Sequence, residues 1–132
     1  MDYRRTSGGV SNLNYHLVFC PKYRIPVLVD DVADDLEELI REKAGDLDVE
    51  VKRVVIKPDH VHLFVKAPPE YSPSKLANQF KGYSSRRLRQ KYAHLVSRMP
   101  SLWSRSFYCG SAGQVSDKTI ANYIAAQEIR SG

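Results

Sequence analysis

The sequence VEVKRVVIKPDHVHLFVK, residues 49–66, decides the fold because it encodes two strands separated by a tight turn. Val49 to Lys57 is rich in β-branched residues, which favour extended backbone. Pro58 and Asp59 are typical turn residues, and the apolar stretch from Val61 to Lys66 predicts a second strand. The segment therefore predicts a β-hairpin near the middle of the chain.

Before the hairpin, the sequence predicts one strand and one helix. Leucine, tyrosine and phenylalanine alternate with other residues from Asn12 to Cys20, which indicates a strand with one buried face. Apolar residues then recur at helical spacing after Asp30 and Asp31, either of which can cap a helix N-terminus. Gly45 is expected to end that helix.

After the hairpin, the sequence predicts a basic helix, a short strand and a last helix. Ser72 is followed by proline, which fits the first position of a helix, and this helix is expected to run to about Tyr92. A short fourth strand is predicted within residues 102–109. The glycines of residues 110–113 are expected to form a hinge before a C-terminal helix at residues 114–130.

The order β-α-β-β-α-β, followed by one more helix, matches the ferredoxin-like arrangement. We therefore expect an α+β sandwich with an antiparallel sheet, formed by a single domain over residues 1–132 with a flexible arm at residues 1–11. This fold hosts many unrelated functions, RNA-binding modules among them, so it assigns no activity by itself.

Composition is that of a globular protein, with 42% hydrophobic and 27% charged residues. No apolar run is long enough to span a bilayer, and no signal-peptide pattern opens the chain. Cys20 and Cys109 form neither a disulfide framework nor a C-x-x-C metal motif. We expect reduced cysteines, a cytoplasmic protein and no membrane contact.

The net charge of +5 is distributed unevenly. Residues 71–108 hold eight basic residues and no acidic one, which leaves 12 basic residues against 15 acidic ones elsewhere. A positive segment on a mildly negative body is typical of proteins that bind polyanions. Aromatic residues interleave with these charges, and because bases stack on exposed rings, they favour nucleic acid over a merely solvated basic helix.

Two histidines on the second hairpin strand are candidate metal ligands. His60 and His62 are two residues apart, so on a strand both imidazoles face the same way. Imidazole is a common ligand of transition metals. Taken alone, such a pair is more often two polar residues on an open sheet face, and a metal ion would need further ligands.

The last predicted helix carries a second candidate pair. Tyr123 and Gln127 are four residues apart and therefore share one helical face. A tyrosine hydroxyl is a weak nucleophile with a pKa near 10 in model compounds, but it can attack a phosphodiester when a metal polarises the phosphate. Gln127 can offer a neutral oxygen to the same ion.

Four segments of the chain resemble the signature blocks of one family. They are NYHLVFCPKYR at 14–24, PDHVHLFV at 58–65, LWSRSFY at 102–108 and IANYIAAQ at 120–127. In this order they resemble the HUH-superfamily single-tyrosine transposases of small bacterial and archaeal insertion sequences. One block alone would be weak evidence, whereas four in register cover most of the chain.

The resemblance implies a role for each motif residue. His60 and His62 match the two histidines that bind Mg²⁺ or Mn²⁺, and Gln127 matches the third protein ligand. Tyr123 matches the nucleophile, which becomes linked to the 5′ side of the cut as a phosphotyrosine and frees a 3′-OH. The resemblance also implies a nucleoid-associated homodimer that recognises subterminal hairpins and uses single-stranded DNA for excision and insertion.

Other residues are assigned by charge or position alone. The basic residues expected to grip DNA are Arg4, Arg5, Lys81, Arg86, Arg87 and Arg89. His16 could support the sheet near the metal or be a satisfied core histidine, and the second interpretation is favoured.

Three other functions fit parts of the sequence. A host-adopted relative that processes repetitive palindromic DNA would need the same machinery, and a zinc hydrolase could use His60 and His62. A non-catalytic ferredoxin-like RNA-binding module would leave the histidine pair and the Tyr-x-x-x-Gln face without a role. Because Tyr123 and Gln127 share a helix behind a predicted hinge, we also expect active sites shared between subunits, and partial rescue when His60→Ala and Tyr123→Phe chains are mixed.

Overall fold

The computed structural model describes residues 12–111 and 117–129, which form one four-stranded sheet with helices. The strands are β1 (Leu13–Phe19), β2 (Glu50–Lys57), β3 (His60–Ala67) and β4 (Tyr108–Ser111). The α-helices are α1 (Asp30–Leu47), α2 (Pro73–Lys91), α3 (His94–Ser97) and α4 (Asp117–Ile129), and a 3-10 turn spans Lys22–Arg24. The arm at residues 1–11, with Arg4 and Arg5, lies outside the described residues.

The sheet has the strand order β2-β3-β1-β4, and every neighbouring pair is antiparallel. β1 therefore lies between β3 and β4, and each of the two helical crossovers passes over one intervening strand. This is the split β-α-β arrangement of ferredoxin-like proteins. The predicted α+β, ferredoxin-like fold is confirmed.

Alternating burial along β3 distinguishes the two faces of the sheet. Along β3, Val61, Leu63 and Val65 are buried, while His60 and His62 between them are only partly buried. Side chains alternate between faces along a strand, so one face of β3 belongs to the core and the other carries both histidines. We call the histidine side the open face.

The helices α1 and α2 cover the core face. Leu36 and Ile40 of α1 and Phe80 and Leu88 of α2 are all at most 1% exposed and pack in one cluster with the buried side chains of β3. The expected start of α2 is confirmed, since the Ser72 hydroxyl accepts a hydrogen bond from the first turn. Burial of these apolar faces is the main force that holds the helical layer on the sheet.

The predicted ends of α1 were wrong at both termini. The N-cap is Val29, and Asp30 and Asp31 lie within the first turn, where a carboxylate favours the positive end of the helix dipole without capping it. At the other end the helix continues past Gly45 to Leu47, and Asp48 adopts the left-handed conformation with φ 60°. Aspartate tolerates this conformation because its side chain is short and polar.

The fourth strand lies later than predicted. Within residues 102–107, Trp103 makes only an isolated bridge to Pro21, and the regular strand begins at Tyr108. Trp103 is buried instead, edge-on against Phe19 with ring centroids 4.8 Å apart. Gly110 is part of β4, so the expected hinge does not begin there, and residues 112–113 lie outside the described residues.

Both cysteines are free thiols, as predicted, with Cys20 buried and Cys109 partly buried. No helix within residues 12–111 and 117–129 is long and apolar enough to cross a membrane.

Candidate active site

The centre of the candidate site is the histidine pair on β3. The rings of His60 and His62 stand on the open face with centroids 5.0 Å apart and planes at 78°. The prediction that both imidazoles project from one face is confirmed by the alternating burial of the strand. Two imidazoles at this separation can direct nitrogens toward a common point.

A carboxylate from the hairpin turn orients His60. The Nδ1 atom of His60 lies 2.8 Å from one oxygen of Asp59, and the other oxygen of Asp59 lies 2.9 Å from Nε of Arg24. An ionised carboxylate only accepts hydrogen bonds, so Nδ1 of His60 carries the proton. In the neutral ring Nε2 then keeps its lone pair, which is the form that binds a metal.

A third histidine orients His62. Nε2 of His16 lies 3.0 Å from Nδ1 of His62, and the His16 ring stacks on Phe64 with centroids 4.0 Å apart. His16 is 6% exposed, so it is a satisfied core histidine, as favoured from the sequence. Its hydrogen-bond partner is a member of the pair, so it also supports the site, and the two interpretations of His16 coincide.

Burial and positive charge keep His62 neutral. Burial is the main cause, and the neighbouring imidazoles and the cations of Lys57 and Arg53 add to it, so that the pKa of His62 falls from 6.5 to about 4. Burial also lowers the pKa of His16. Both rings are therefore unprotonated near neutral pH, which is the form of an imidazole that can bind a metal.

The tyrosine helix α4 lies against the 3-10 turn of the same chain. Nη1 of Arg24 donates to the carbonyl of Ile124 at 3.4 Å, next to Tyr123 in the helix. Tyr23 and Arg24 both adopt left-handed backbone conformations, with φ 57° and 56°. Residues other than glycine hold such conformations only where the surrounding structure stabilises them, and they are frequent at functional sites.

Ser106 joins the two candidate residues of α4. Its hydroxyl lies 3.2 Å from the Tyr123 hydroxyl and donates to Oε1 of Gln127 at 3.1 Å. Because the serine proton goes to Gln127, the Tyr123 hydroxyl is the donor in the bond to Ser106. Gln127 is fully buried, and its amide nitrogen donates to the backbone carbonyl of Tyr123.

Lys81 lies inside the protein rather than on the surface expected to grip DNA. It is 9% exposed, and its ammonium donates to the carbonyl of Ser106 at 3.1 Å. Burial lowers the pKa of Lys81 to about 8. Lys81 therefore supports the segment that contacts Tyr123 and leaves little of its charge for DNA.

The three arginines of α2 expected to bind DNA lie on the other side of the sheet from the histidines. Arg86 and Arg87 are exposed, and Arg87 donates to the Tyr83 hydroxyl at 3.0 Å. Arg89 donates to two backbone carbonyls, of Pro100 and Met99. The structure does not bring any of the three to the histidine pair.

Two cations on β2 lie on the open face beside the histidines. In the β2–β3 register Arg53 is opposite Phe64, and Lys57 is opposite His60. Residues that are paired across strands share a face, and both Arg53 and Lys57 are exposed. The guanidinium of Arg53 lies 5.7 Å from the centroid of the Phe64 ring.

The donor set fits a divalent cation in part. Among the described residues, no group of three or more His, Cys, Asp or Glu side chains could hold a metal. The pair His60 and His62 supplies two nitrogens, and the only further candidate from the sequence is the amide oxygen of Gln127, which here accepts the Ser106 hydrogen bond. Mg²⁺ and Mn²⁺ complete such partial sets with water and substrate oxygens.

The structure thus brings His60 and His62 together and brings Tyr123 and Gln127 together, with Arg24 between the two pairs. Comparison with known proteins identifies the family: a model described as "Transposase IS200 like" matches residues 9–127. The chain belongs to the IS200-like transposases. The family predicted from four sequence blocks is confirmed.

Two curated members of this family illustrate the similarity. The ISDra2 transposase TnpA of Deinococcus radiodurans is 33% identical over 129 residues, which cover 96% of this chain and 92% of that protein. The transposase of the insertion sequence element IS200 from Salmonella typhimurium is 29% identical over 118 residues, covering 88% of this chain and 77% of that protein.

Two solved structures share the fold of this transposase. The crystal structure of a protein described as a transposase from Deinococcus radiodurans R1 superposes on this chain with a TM-score of 0.84 at 33% identity. The superposition covers 96% of this chain and 98% of the other. A REP-associated tyrosine transposase bound to a REP hairpin gives a TM-score of 0.58 at 15% identity, covering 94% of this chain and 68% of the other. At 15% identity the second likeness shows the fold alone.

Sequence reasoning gave no role to several residues that contact the candidate groups. Asp59 was assigned only to a turn, and Ser106 and Arg24 stood inside recognised blocks without a function. The one available signal was their position within those blocks, because hydrogen bonds between residues distant in sequence leave no periodic pattern. Arg53 and Lys57 were missed because they lie outside the most basic segment.

Proposed function

We propose that this transposase cuts and rejoins single-stranded DNA at the ends of an insertion sequence, with Tyr123 as the nucleophile. The observation that carries this proposal is the histidine pair, with each imidazole bonded through Nδ1, on an open and cationic face of the sheet. Arg24 links the same site to the helix of Tyr123. The membership of the chain in a transposase family supplies the reaction class.

In the proposed first step, the phenol oxygen of Tyr123 forms a bond to the phosphorus of one phosphodiester. The bond from phosphorus to the 3′ oxygen breaks, and the leaving oxygen takes a proton to become a free 3′-OH. Ser106 accepts the hydrogen bond of the phenol and offers a path for its proton. The DNA 5′ end is then held as a phosphotyrosine.

Joining is the reverse exchange. A 3′-OH attacks the phosphotyrosine, the new phosphodiester forms, and Tyr123 leaves and recovers its proton. One phosphodiester is made for each one broken, so the reaction consumes neither water nor ATP. The phenol is a weak nucleophile, so the step would need help from a metal that stabilises charge at phosphorus.

We propose that His60, His62 and Gln127 hold Mg²⁺ or Mn²⁺. A divalent cation polarises the phosphate and stabilises the leaving oxygen. Gln127 would have to give up its hydrogen bond from Ser106 to serve as a ligand. Both histidines are already bonded through Nδ1, and each presents a free Nε2 in the tautomer that carries its proton on Nδ1. The contribution of Gln127 is therefore expected to be smaller than that of either histidine.

The DNA strand is proposed to cross the open face beside Arg53 and Lys57. A single strand binds through phosphate contacts to cations and base stacking on aromatic rings. The Phe64 ring lies beside the histidines but is already stacked on His16 and has Arg53 over it, so we expect phosphate contacts to contribute more than stacking here. Subterminal hairpins and a homodimer follow from the family resemblance, and the hairpin in the distant relative of the same fold is compatible with them.

Sites shared between two subunits are also part of the proposal. In a single chain, α4 lies on its own 3-10 turn. An identical turn in a second copy offers the same contacts, so exchanging α4 between copies requires few new interactions. Mixing His60→Ala with Tyr123→Phe chains tests this: shared sites give partial recovery of cleavage, and sites formed within one chain give none.

The proposal is tested by trapping the covalent intermediate. The full chain is incubated with labelled single-stranded DNA from the flanks of its gene, with Mg²⁺, with Mn²⁺ and with EDTA, and is analysed on a denaturing gel. We expect a metal-dependent protein–DNA adduct that is absent in Tyr123→Phe and present in the matched control Tyr83→Phe, whose hydroxyl bonds Glu42 on the helical layer. Cleavage without an adduct would instead favour a metal-dependent hydrolase.

The host-adopted alternative uses the same chemistry, so only the DNA on which each enzyme acts distinguishes it from an autonomous transposase. An autonomous element should carry hairpins on both sides of the reading frame, whereas a host-adopted enzyme should form its adduct on dispersed palindromic repeats.

A further inference from the structure

One arginine contacts both halves of the candidate site. Nε of Arg24 lies 2.9 Å from Oδ2 of Asp59, whose other oxygen bonds Nδ1 of His60 at 2.8 Å. Nη1 of the same guanidinium donates to the carbonyl of Ile124 in α4. A continuous path of three polar contacts therefore runs from a metal-ligand candidate to the backbone beside Tyr123.

The two ends of this path have different stability. Asp59 lies in the turn before β3, and His60 is the first residue of β3, which is an inner strand of the sheet. Among the described elements, α4 has its most extensive contacts with the 3-10 turn. A helix with few contacts to its own body opens more easily than a central strand, so a change at the turn alters α4 far more than it alters the sheet.

The guanidinium is suited to this double contact. Its donors are fixed in a plane, so Nε and Nη1 can serve two acceptors only when both are correctly placed. The left-handed backbone at Tyr23 and Arg24 aims this side chain between the hairpin turn and α4. The side chain of Arg24 is 24% exposed and that of Asp59 is 26% exposed, so the ion pair is partly screened from water.

We propose that Arg24 is a positioning residue that couples the docking of the tyrosine helix to the orientation of His60. With α4 docked, Arg24 holds Asp59, and Asp59 holds the His60 ring with Nε2 toward the open face. With α4 displaced, Arg24 loses one acceptor and Asp59 is held less firmly. The inference rests on the metal role given to His60 in the proposed function.

Coupling of this kind acts in both directions. If docking of α4 raises the affinity of the histidine pair for a divalent cation, the cation must stabilise the docked helix by the same factor. Mn²⁺ added to the protein without DNA should therefore slow hydrogen exchange of the α4 amides. Metal affinity and hydrogen exchange can both be measured without DNA cleavage.

The experiment compares the full-length wild-type chain with Arg24→Gln, Arg24→Lys, Asp59→Asn and the control Arg41→Gln. Arg41 is an exposed arginine paired with Glu37 within α1, so its substitution removes an ion pair far from the site. Mn²⁺ affinity is measured by calorimetry, and amide exchange in α4 is measured by mass spectrometry with and without Mn²⁺. Circular dichroism and thermal unfolding confirm that each variant is folded.

We expect Arg24→Gln to lower Mn²⁺ affinity about tenfold, the lower end of the range for losing a group that orients a metal ligand. Its α4 amides should exchange faster than those of the wild type, and Mn²⁺ should no longer slow them. Arg24→Lys should keep most of the affinity by pairing with Asp59, but should lose the response of α4 because one ammonium lacks the two-directional fork. Arg41→Gln should match the wild type in Mn²⁺ affinity and in α4 amide exchange, both with and without Mn²⁺.

The proposal is overturned if Mn²⁺ slows α4 exchange equally in the wild type and in Arg24→Gln, or if Arg24→Gln changes only one of the two readouts. Asp59→Asn provides an arm that needs no metal: faster α4 exchange supports the path, and unchanged exchange contradicts it. If the wild type binds no Mn²⁺, the metal assignment of the proposed function fails, while the Asp59→Asn result still decides whether the docked helix depends on the ion pair.

Discussion

The two faces of the sheet both carry positive charge, but they use it differently. On the helical side, Lys91 pairs with Asp35 at 2.7 Å and Arg87 donates to Tyr83, so much of the charge of α2 is directed at other protein groups. On the open face, neither Arg53 nor Lys57 forms a salt bridge with any residue of the described ranges 12–111 and 117–129. In proposing where a polyanion binds, we therefore give more weight to charge without an internal partner than to the density of charge along the sequence.

The largest expected difference between the faces is chemical. His60→Ala should reduce adduct formation by about a thousandfold, because it removes one proposed ligand of the cation that would stabilise charge at phosphorus. The measurement is the initial rate of adduct formation in Mg²⁺. Urea unfolding should change little, because His60 contributes no side chain to the core. A variant that loses activity and stability together would place His60 among the structural residues.

The next effect belongs to the helical side and concerns stability. Phe80→Ala should lower the free energy of unfolding by about 3–5 kcal/mol, because it opens a cavity beneath α2. Phe80 is 1% exposed and lies in the main core cluster. Urea denaturation measures the loss, and the adduct yield per folded molecule at low temperature should stay near that of the wild type. A large loss of yield in folded protein would mean that the two faces are less independent than proposed.

A smaller effect follows from the low pKa of His62. The folded protein binds a proton at His62 only near pH 4, whereas the unfolded chain binds it near pH 6.5. Between these values the unfolded state holds more protons, so the unfolding free energy falls as pH decreases from about 6.5 to about 4 and is unaffected by His62 above that window. With partial exposure of the ring, we expect a loss of about 2 kcal/mol. Urea unfolding of metal-free protein should show a flatter pH profile in His62→Gln.

The smallest expected effect distinguishes the cations of the two faces. Arg53→Gln and Lys57→Gln should each weaken binding of single-stranded DNA and reduce the slope of log affinity against log salt by about 0.7, the value for one phosphate contact. Arg87→Gln, with the same charge change on the helical side, should leave that slope unaltered for unstructured strands. Fluorescence anisotropy at several salt concentrations measures it. If Arg87→Gln reduced the slope and the two substitutions on β2 did not, the single-stranded DNA would bind at α2 and not on the open face.

The fold was predictable because its signals are local and repeated. The hairpin of residues 49–66, the alternation in β1 and the Ser72 start of α2 each follow from short-range preferences, and together they leave one common topology. The errors occurred where a long-range contact outweighed a local preference. Helix α1 does not end at Gly45, because its continuation to Leu47 packs that side chain against the core. Trp103 is buried in the core and is not part of a regular strand.

Only those parts of the candidate site whose residues are close in sequence were predictable. His60 and His62 are neighbours on a strand, and Tyr123 and Gln127 are neighbours on a helix, so each pair can be found from sequence. The groups that hold the pairs, among them Asp59 with Arg24, come together through the tertiary fold. Lys81 shows the opposite limit, because a charged residue in a basic segment was expected outside and lies beneath Ser106.

The backbone at residues 23 and 24 has a consequence for anyone who wishes to make this protein more robust. A side chain in the left-handed region costs about 1 kcal/mol relative to glycine. Tyr23→Gly is therefore expected to raise the free energy of unfolding, since Tyr23 is 47% exposed and its loss removes little packing. Arg24→Gly would relieve the same backbone strain, but it would also remove the guanidinium that contacts Asp59 and the carbonyl of Ile124. Stability can therefore be raised at residue 23 without altering the proposed coupling, whereas at residue 24 it cannot.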